Sequence, residues 1–377
     1  MPVSRPRRPS FVKPVDGVPL LRWSAFAFAL VASCGDSGTS GGGVGAASSG
    51  GASVGGAAEG GAPAGGAGAA GGAPGGAPQG GAGGYAGAAS SGGAGGAGGA
   101  GGEAAGGGGA GGAPPATTVR IVAANLTSGN GQSYDLGHGV RILQGLDPDV
   151  VLLQEVNYGS NSVASLQAFA DDVCEEPCSI VRGPPAKIPN GVVSRFPVID
   201  SGSWTDPEVA NRDFVWARLD VPGDAHLFAI SVHLLSSSAV ARAAEVDALL
   251  GYVERDVPSD DLLVIGGDLN TNTRVEDAVT ALAQAVVVGP SFPVDQAGVD
   301  GTNGPRTKPY DWVLFAPALD ALETPVLIGP SSFADGAVVD TRVFDPISDL
   351  APALATDSGA PSMQHMAVVR DVVLPAP

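Results

Sequence analysis

Val264-Ile265-Gly266-Gly267-Asp268-Leu269-Asn270-Thr271-Asn272 carries the end of an apolar run, two glycines, and then a carboxylate and a carboxamide two residues apart. The run over residues 262–265 predicts a buried strand. The glycines predict a tight turn or a close approach to the backbone. If strand geometry continues beyond them, Asp268 and Asn270 project to the same side. A carboxylate only accepts hydrogen bonds, whereas a carboxamide donates and accepts. Side by side they can hold a water and a phosphate oxygen. Taken alone, the stretch reads as turn chemistry after a strand. Its weight comes from the rest of the chain.

Working outward, other strands also end in reactive side chains. Residues 119–125 alternate and then turn apolar, predicting a strand that ends at Asn125. Residues 135–146 predict a helix, with His138 structural or solvent-facing near its start. After Asp147-Pro148-Asp149 breaks that helix, residues 150–153 predict a buried strand ending in Gln154-Glu155. A carboxylate after an uninterrupted apolar run is either exposed at the sheet rim or paired with something positive, such as a metal. Residues 191–198, 211–219 and 227–234 predict further strands, the last ending at His233. Residues 239–253 predict a helix. Residues 311–315 predict a strand that begins with Asp311, and His365 precedes a final strand over residues 366–373. Many strands with few helices between them suggest a two-layered β core with outer helices, an α/β (α+β) arrangement. Asn125, Glu155, His233, Asp268, Asn270, Asp311 and His365 all lie at or beside strand ends, where rigid scaffolds build sites. Oxygen ligands with imidazoles suit metal-assisted hydrolysis.

Composition sets the boundaries. The chain has 377 residues and 59 glycines. Residues 40–113 are mostly Gly and Ala and lack the large apolar side chains that offset ordering entropy. A flexible tether is expected there. We divide the chain into a signal segment (1–33), a Gly/Ala-rich linker (34–116) and one domain of ordinary size (117–377). That domain carries 14 basic and 34 acidic residues, a net charge of −20. Such a balance argues against a broad electrostatic grip on nucleic acid. It leaves room for a metal-dependent site, where a cation offsets local acid charge.

At the N-terminus, Arg5, Arg7, Arg8 and Lys13 precede a short apolar stretch at residues 23–31, too short to span a bilayer. Leu30-Val31-Ala32-Ser33-Cys34 resembles the bacterial lipoprotein cleavage box. That resemblance implies cleavage before Cys34, a lipid on its sulfur, and a domain held on the cell envelope by the tether. An ordinary secretory signal, or a buried apolar segment with an incidental cysteine, is the alternative. Export would favour a disulfide between Cys174 and Cys178 over a metal half-site, since no second cysteine pair exists.

In order along the chain, Ala124-Asn125, Leu153-Gln154-Glu155-Val156, residues 191–197, Val232-His233-Leu234, Gly266-Gly267-Asp268-Leu269-Asn270, Tyr310-Asp311-Trp312 and Gln364-His365 resemble the endonuclease/exonuclease/phosphatase (DNase I-like) superfamily. The resemblance covers residues 118–377 and implies a four-layer α/β sandwich, with two packed mixed sheets flanked by helices. It implies Mg2+ or Mn2+ at Glu155, with Asn125 and the Gln364 position contributing. Asp268 would orient the attacking water and Asn270 would hold a phosphate oxygen. His365 would act at the scissile phosphate, fixed by Asp311, with His233 on the leaving-group side. Arg212 stands where many members place a phosphate-facing arginine; a surface ion pair is the other reading of it. Members usually carry Asp immediately before the last histidine, and Gln364 leaves the site one negative charge short. The activity implied is hydrolysis of phosphodiester bonds by a monomeric DNase-like nuclease acting on nucleic acid. A phosphatase or sphingomyelinase-like lipid phosphodiesterase is the alternative, and a non-catalytic phospholigand-binding module the third.

Overall fold

The computed structural model describes residues 116–128 and 132–376. The signal segment, Cys34 and the Gly/Ala-rich linker lie outside the described residues, so the structure bears on none of them.

Two sheets form the centre. The first takes β1 (Thr117–Ala124), β2 (Val150–Leu153), β3 (Ser179–Arg182) and β4 (Gly191–Ser194) from the early chain. The second is β5 (Val198–Thr205), β6 (Asp213–Leu219), β7 (Leu227–His233), β8 (Leu262–Asp268) and β9 (Asp311–Phe315), in that spatial order. The chain then returns to the first sheet through β10 (Glu323–Thr324). After a hairpin of β11 (Val326–Ile328) and β12 (Ser331–Phe333), it adds β13 (Ala337–Val339) and β14 (Ala367–Leu374). The path of the first sheet is β10-β14-β1-β2-β4-β3, with β13 also paired to β14. Both sheets are mixed: β1 runs parallel to β2 and antiparallel to β14, and β7 runs parallel to β8 and antiparallel to β6.

The period-2 pattern of β1 explains the layering. Val119, Ile121 and Ala123 face the second sheet, packing with Leu152, Ala229, Val264 and Val313 in the central core. Val122 and Ala124 face the other way. They meet residues of α1 (His138–Leu146) and α2 (Val163–Cys174), including Leu143 and Phe169. On the far side, Ile230 and Ile265 pack against Val246 and Leu249 of α3 (Ala239–Asp256) and Val279 of α4 (Asp277–Leu282). A short α5 (Pro317–Asp320) follows β9. The result is the four-layer α/β sandwich implied by the sequence. Ile121 is fully buried between the sheets, and truncating such a residue to Ala typically costs about 2–5 kcal/mol.

Several local expectations need correction. Of the two readings of the glycines, the close approach holds and the turn does not: β8 runs straight through them to Asp268. A Cβ on Gly266 would lie 2.7 Å from Leu152 Cδ1, so this glycine lets the sheets close on each other. Gly267 has φ +137°, and a Cβ there would strike the Val232 carbonyl oxygen. The strand ends at Asp268 and Asn270 has φ +51°, so the two do not project alike as strand neighbours. The helix over residues 135–146 is split: a 3-10 turn at Tyr134–Leu136, then α1, with Gly137 at φ +77° between them. Residues 191–198 are not one strand. β4 ends at Ser194, and after Pro197 the chain begins β5 in the other sheet. Arg212 sits in the loop before β6, which starts at Asp213. Cys174 and Cys178 form the expected disulfide at the end of α2.

Candidate active site

Strand register assembles the centre of the site. His233 at the end of β7 pairs with Asp268 at the end of β8, which pairs with Asp311 at the start of β9. Three neighbouring strands therefore deliver three functional groups in one row. From the other sheet, Asn125 follows β1 and Glu155 follows β2, whose last residues Ala124 and Leu153 are also in register. Glu155 has φ +55°, so the chain turns as it leaves the strand. His365 comes just before β14, on a bridge to Asn303.

These groups meet at Asp268. The Asn125 side-chain amide donates to Glu155 Oε1 and to Asp268 Oδ2, each at 3.1 Å, and so ties the two sheets together. His233 Nε2 lies 3.3 Å and His365 Nε2 3.6 Å from the same Asp268 oxygen. Asp268 Oδ1 accepts from the Asn270 backbone N–H at 2.9 Å. The Asn270 side-chain amide donates to the Leu234 carbonyl, also at 2.9 Å. Its second amide hydrogen remains free for the cavity that Asn270 lines. Asp311 Oδ2 takes His365 Nδ1 at 2.9 Å, which leaves Nε2 directed toward Asp268. A cavity of about 340 Å3 opens on Glu155, Arg212, His233, Asp268, Asn270 and His365, with Lys187 and the exposed Gln364 also in its lining.

Burial sets the protonation states. Glu155 is pushed up to about 7, first by burial and then by the neighbouring Asp268 charge, against the Asn125 hydrogen bond. Burial also raises Asp268, to about 6, although His365 pulls it down. For His365 burial opposes the imidazolium, but Asp311 and Asp268 outweigh it and hold the ring at about 9. His233 goes the other way: burial, with Arg212 and His365 nearby, holds it well below the ordinary imidazole value. At neutral pH the site therefore pairs a charged His365 with a neutral His233. His233 lies close to Asp268, but with a neutral ring that contact is not an ion pair.

Two acceptors bear on a cation. Asn125 Oδ1 is buried with no partner, next to a Glu155 carboxylate whose charge has no basic side chain in contact. Asp268, Asp311 and His365 have potential ligand atoms within 4.8 Å of one another, although His365 would have to lose its proton to take part. Hard oxygen donors with unmet demand for positive charge fit Mg2+ or Mn2+. Gln364 contributes no side-chain hydrogen bond among the described residues. Arg212 is 6% exposed, forms no ion pair among the described residues and leaves Nε unpartnered. The surface ion-pair reading of Arg212 is thereby ruled out. A buried, unpaired guanidinium lining a cavity is preorganised for an anion.

Sequence reasoning missed Gln132, whose amide donates to Glu155 Oε2. It lies in a Gly-rich loop with no strand pattern to flag it. Lys187, after a Pro-rich segment, was also missed. His138 is bound to Asp357 and Arg141, away from this cavity, which agrees with a structural role.

A family model described as the Endonuclease/Exonuclease/phosphatase family matches residues 138–349, more than half of the chain. The chain belongs to this family. The match spans Glu155, Arg212, His233, Asp268, Asn270 and Asp311; Asn125, Gln364 and His365 lie outside it. Family members are generally phosphoesterase hydrolases and usually use divalent metal ions. The two packed mixed sheets have the DNase I-like arrangement. Among solved structures, the endonuclease/exonuclease/phosphatase from Beutenbergia cavernae is 19% identical, with a TM-score of 0.47 over 68% of this chain and 72% of that one. A humanized D. rerio TDP2 is 17% identical, with a TM-score of 0.44 over 67% and 98%. The beta toxin from Staphylococcus aureus is 14% identical, with a TM-score of 0.40 over 67% and 99%. No curated protein matches the chain.

Proposed function

We propose that the domain is a divalent-metal-dependent phosphodiesterase that cleaves nucleic acid. The observation that carries this reading is the meeting of Asn125 and Glu155 from one sheet with the His233–Asp268–Asp311 row of the other, around Asp268. Glu155 and Asn125 would hold Mg2+ or Mn2+, with the Gln364 position adding a neutral oxygen, and the bound ion would offset the charge on the phosphate oxygens. Arg212, Asn270 and Lys187 hold the phosphate in place. Asp268, with a pKa near 6 and two imidazoles against one oxygen, orients the attacking water and accepts its proton. His365, charged and fixed at Nδ1 by Asp311, offers Nε2–H to the phosphate as negative charge develops in the transition state. His233, held neutral, acts as a hydrogen-bond partner on the leaving-group side rather than as an acid.

A second reading has its own support. Lys187 and Arg212 are the basic side chains in the lining of the cavity, and the domain is strongly acidic. A smaller phosphoester, such as a sphingomyelin headgroup or an inositol phosphate, needs no more grip than that. The test is hydrolysis by the full chain of double- and single-stranded DNA, RNA, sphingomyelin and inositol phosphates, with salt as the second variable. Two phosphate contacts would give cleavage of DNA that falls only about 10-fold between 50 and 200 mM salt. Cleavage of sphingomyelin or inositol phosphates alone would move the assignment to the second reading. Binding of a phosphorylated ligand without turnover would leave the non-catalytic module. From the sequence we also propose that the protein is exported and lipid-anchored at Cys34, with the domain monomeric.

A further inference from the structure

Helix α3 carries two charged residues on its buried face. Arg242 and Glu245 fall three residues apart on the stripe that continues at Leu249, and both are 0% exposed. Charged groups placed there need partners. Arg242 is fully engaged: it pairs with Glu276 and donates to the carbonyls of Leu235 and Ser236. Glu245 is left without a cation in contact. Its two oxygens take the Leu235 N–H, at 3.1 and 2.9 Å. Its carboxyl is also hydrogen-bonded to that of Asp206, a residue 3% exposed that follows β5.

Two carboxyls bonded to each other share a proton. Asp206 Oδ1 accepts the Glu208 and Val209 N–H groups, at 2.9 and 3.3 Å, whereas Oδ2 is buried and has no other donor. Glu245 supplies that donor. Burial first, and then the Asp206 charge, raise Glu245 to about 8, against the Leu235 N–H and Arg212. Burial raises Asp206 as well, but the Glu208 N–H and the proton from Glu245 oppose it, so Asp206 is the ionised member. The ionisable groups facing Glu245 are Asp206, Arg212 and Arg242 with its Glu276.

Both carboxyls bear on the active site. Leu235 and Ser236 line its cavity, and the Leu234 carbonyl takes the Asn270 side-chain amide at 2.9 Å. Glu245 and Arg242 thus fix the turn on which Asn270 rests. Arg212 feels the cavity carboxylates Asp268 and Glu155 and, from outside the cavity lining, Glu245 and Asp206.

We propose that Glu245 is a positioning residue: as a neutral acid bridging Asp206 and the Leu235 N–H, it keeps Asn270 in place for the substrate phosphate and leaves the Arg212 guanidinium to it. This rests on the phosphodiesterase reading, in which Asn270 and Arg212 hold the phosphate. When Glu245 ionises, the bond to Asp206 is lost, the two carboxylates repel, and a second negative charge draws Arg212 away from the cavity.

The test compares the full chain with Glu245→Gln, whose amide bridges the same partners but has no proton to lose, and with Glu245→Ala, which removes the bridge. By NMR of the chelator-treated parent, the Leu235 backbone amide and the Asn270 side-chain amide should shift together with a midpoint near pH 8. Neither should show that step in Glu245→Gln. On a cleavable phosphodiester at pH 7 and saturating Mg2+, Glu245→Ala should raise KM about 10-fold, the scale of one hydrogen bond to a charged group, with kcat within about 2-fold. Glu245→Gln should match the parent there. At pH 9 KM should be about 5-fold higher in the parent than in Glu245→Gln, while loss of the His365 proton lowers kcat equally in both. No step in the parent, a Leu235 step without an Asn270 step, an unchanged KM in folded Glu245→Ala, or the same KM in parent and Glu245→Gln at pH 9 would overturn the proposal. A parent that cleaves no phosphodiester would refute the phosphodiesterase reading alone, since the two amide resonances decide the role of Glu245 without turnover.

Discussion

Replacing Asp311 by Asn keeps the shape of the residue that holds His365 Nδ1 and removes its charge. In the parent, Asp311 and Asp268 together lift His365 from an ordinary 6.5 to about 9 against the effect of burial, a preference for the imidazolium worth about 3 kcal/mol. Asp311 is the larger of the two, and it alone contacts the ring at 2.9 Å. In the variant, burial is opposed only by more distant charges, so the ring returns toward 6.5. At pH 8 a ring with a pKa of about 9 is nine-tenths protonated, and one at about 6.5 only a few per cent, a drop of about 30-fold in imidazolium. The chain has only four histidines, so the imidazole resonances can be assigned by single substitutions and followed against pH in chelator-treated protein. The rate on a cleavable phosphodiester should fall by about the same factor at pH 8 and recover as the pH is lowered. If the His365 resonance titrates at the same pH in Asp311→Asn as in the parent, the coupling read from the structure is wrong.

Stability should report the same charges. His365, Glu155, Asp268 and Glu245 are all raised in the folded protein, to about 9, 7, 6 and 8. A raised group favours folding below its unfolded value, and that contribution is lost as the pH passes the folded value. His233, held low, works the other way up to its unfolded value of about 6.5, so urea unfolding of the metal-free protein should give a free energy that falls from pH 7 to pH 9, by on the order of a few kcal/mol; a flat or rising profile over that range would count against the burial argument. Gln364→Asp returns a carboxylate to the mouth of the cavity and should lower the half-saturating Mg2+ concentration by about 5-fold, the scale of a partly screened attraction. Its rate at saturating Mg2+ should match the parent. Cys34→Ser should abolish lipid attachment and release the protein from membranes, as read by mass and by membrane partitioning; unchanged partitioning would remove the anchor from the account.

The parts of the fold readable in the sequence were those with a single dominant pattern. β1, β2, β7 and β9 are short apolar runs with polar stops, and the groups at their ends are the site. The strand that changes sheets after Ser194 was not readable, because nothing local separates one strand with a proline from two strands in different layers. The β8 glycines were ambiguous for a related reason. Glycine permits a turn and a close approach alike, and only Leu152 across the core decides between them. β10 to β13 are two or three residues long, too short for any periodicity to show. Within the site, residue identities could be read but partners could not. That Asn125 bridges Glu155 to Asp268, or that Arg212 is buried near acids yet forms no close ion pair among the described residues, follows from three-dimensional packing alone.

Metal dependence tests the central claim most directly, and the measurement is hydrolysis of a phosphodiester by the full chain with Mg2+, with Mn2+ and with EDTA, alongside Glu155→Gln. The account expects turnover with at least one of the ions, loss of it in EDTA and restoration on adding the ion back. Glu155→Gln should need far more metal and reach a lower rate, because it weakens the oxygen cluster shared with Asn125. Turnover that persists unchanged in EDTA, or a Glu155→Gln protein with the parent's rate and metal requirement, would contradict it.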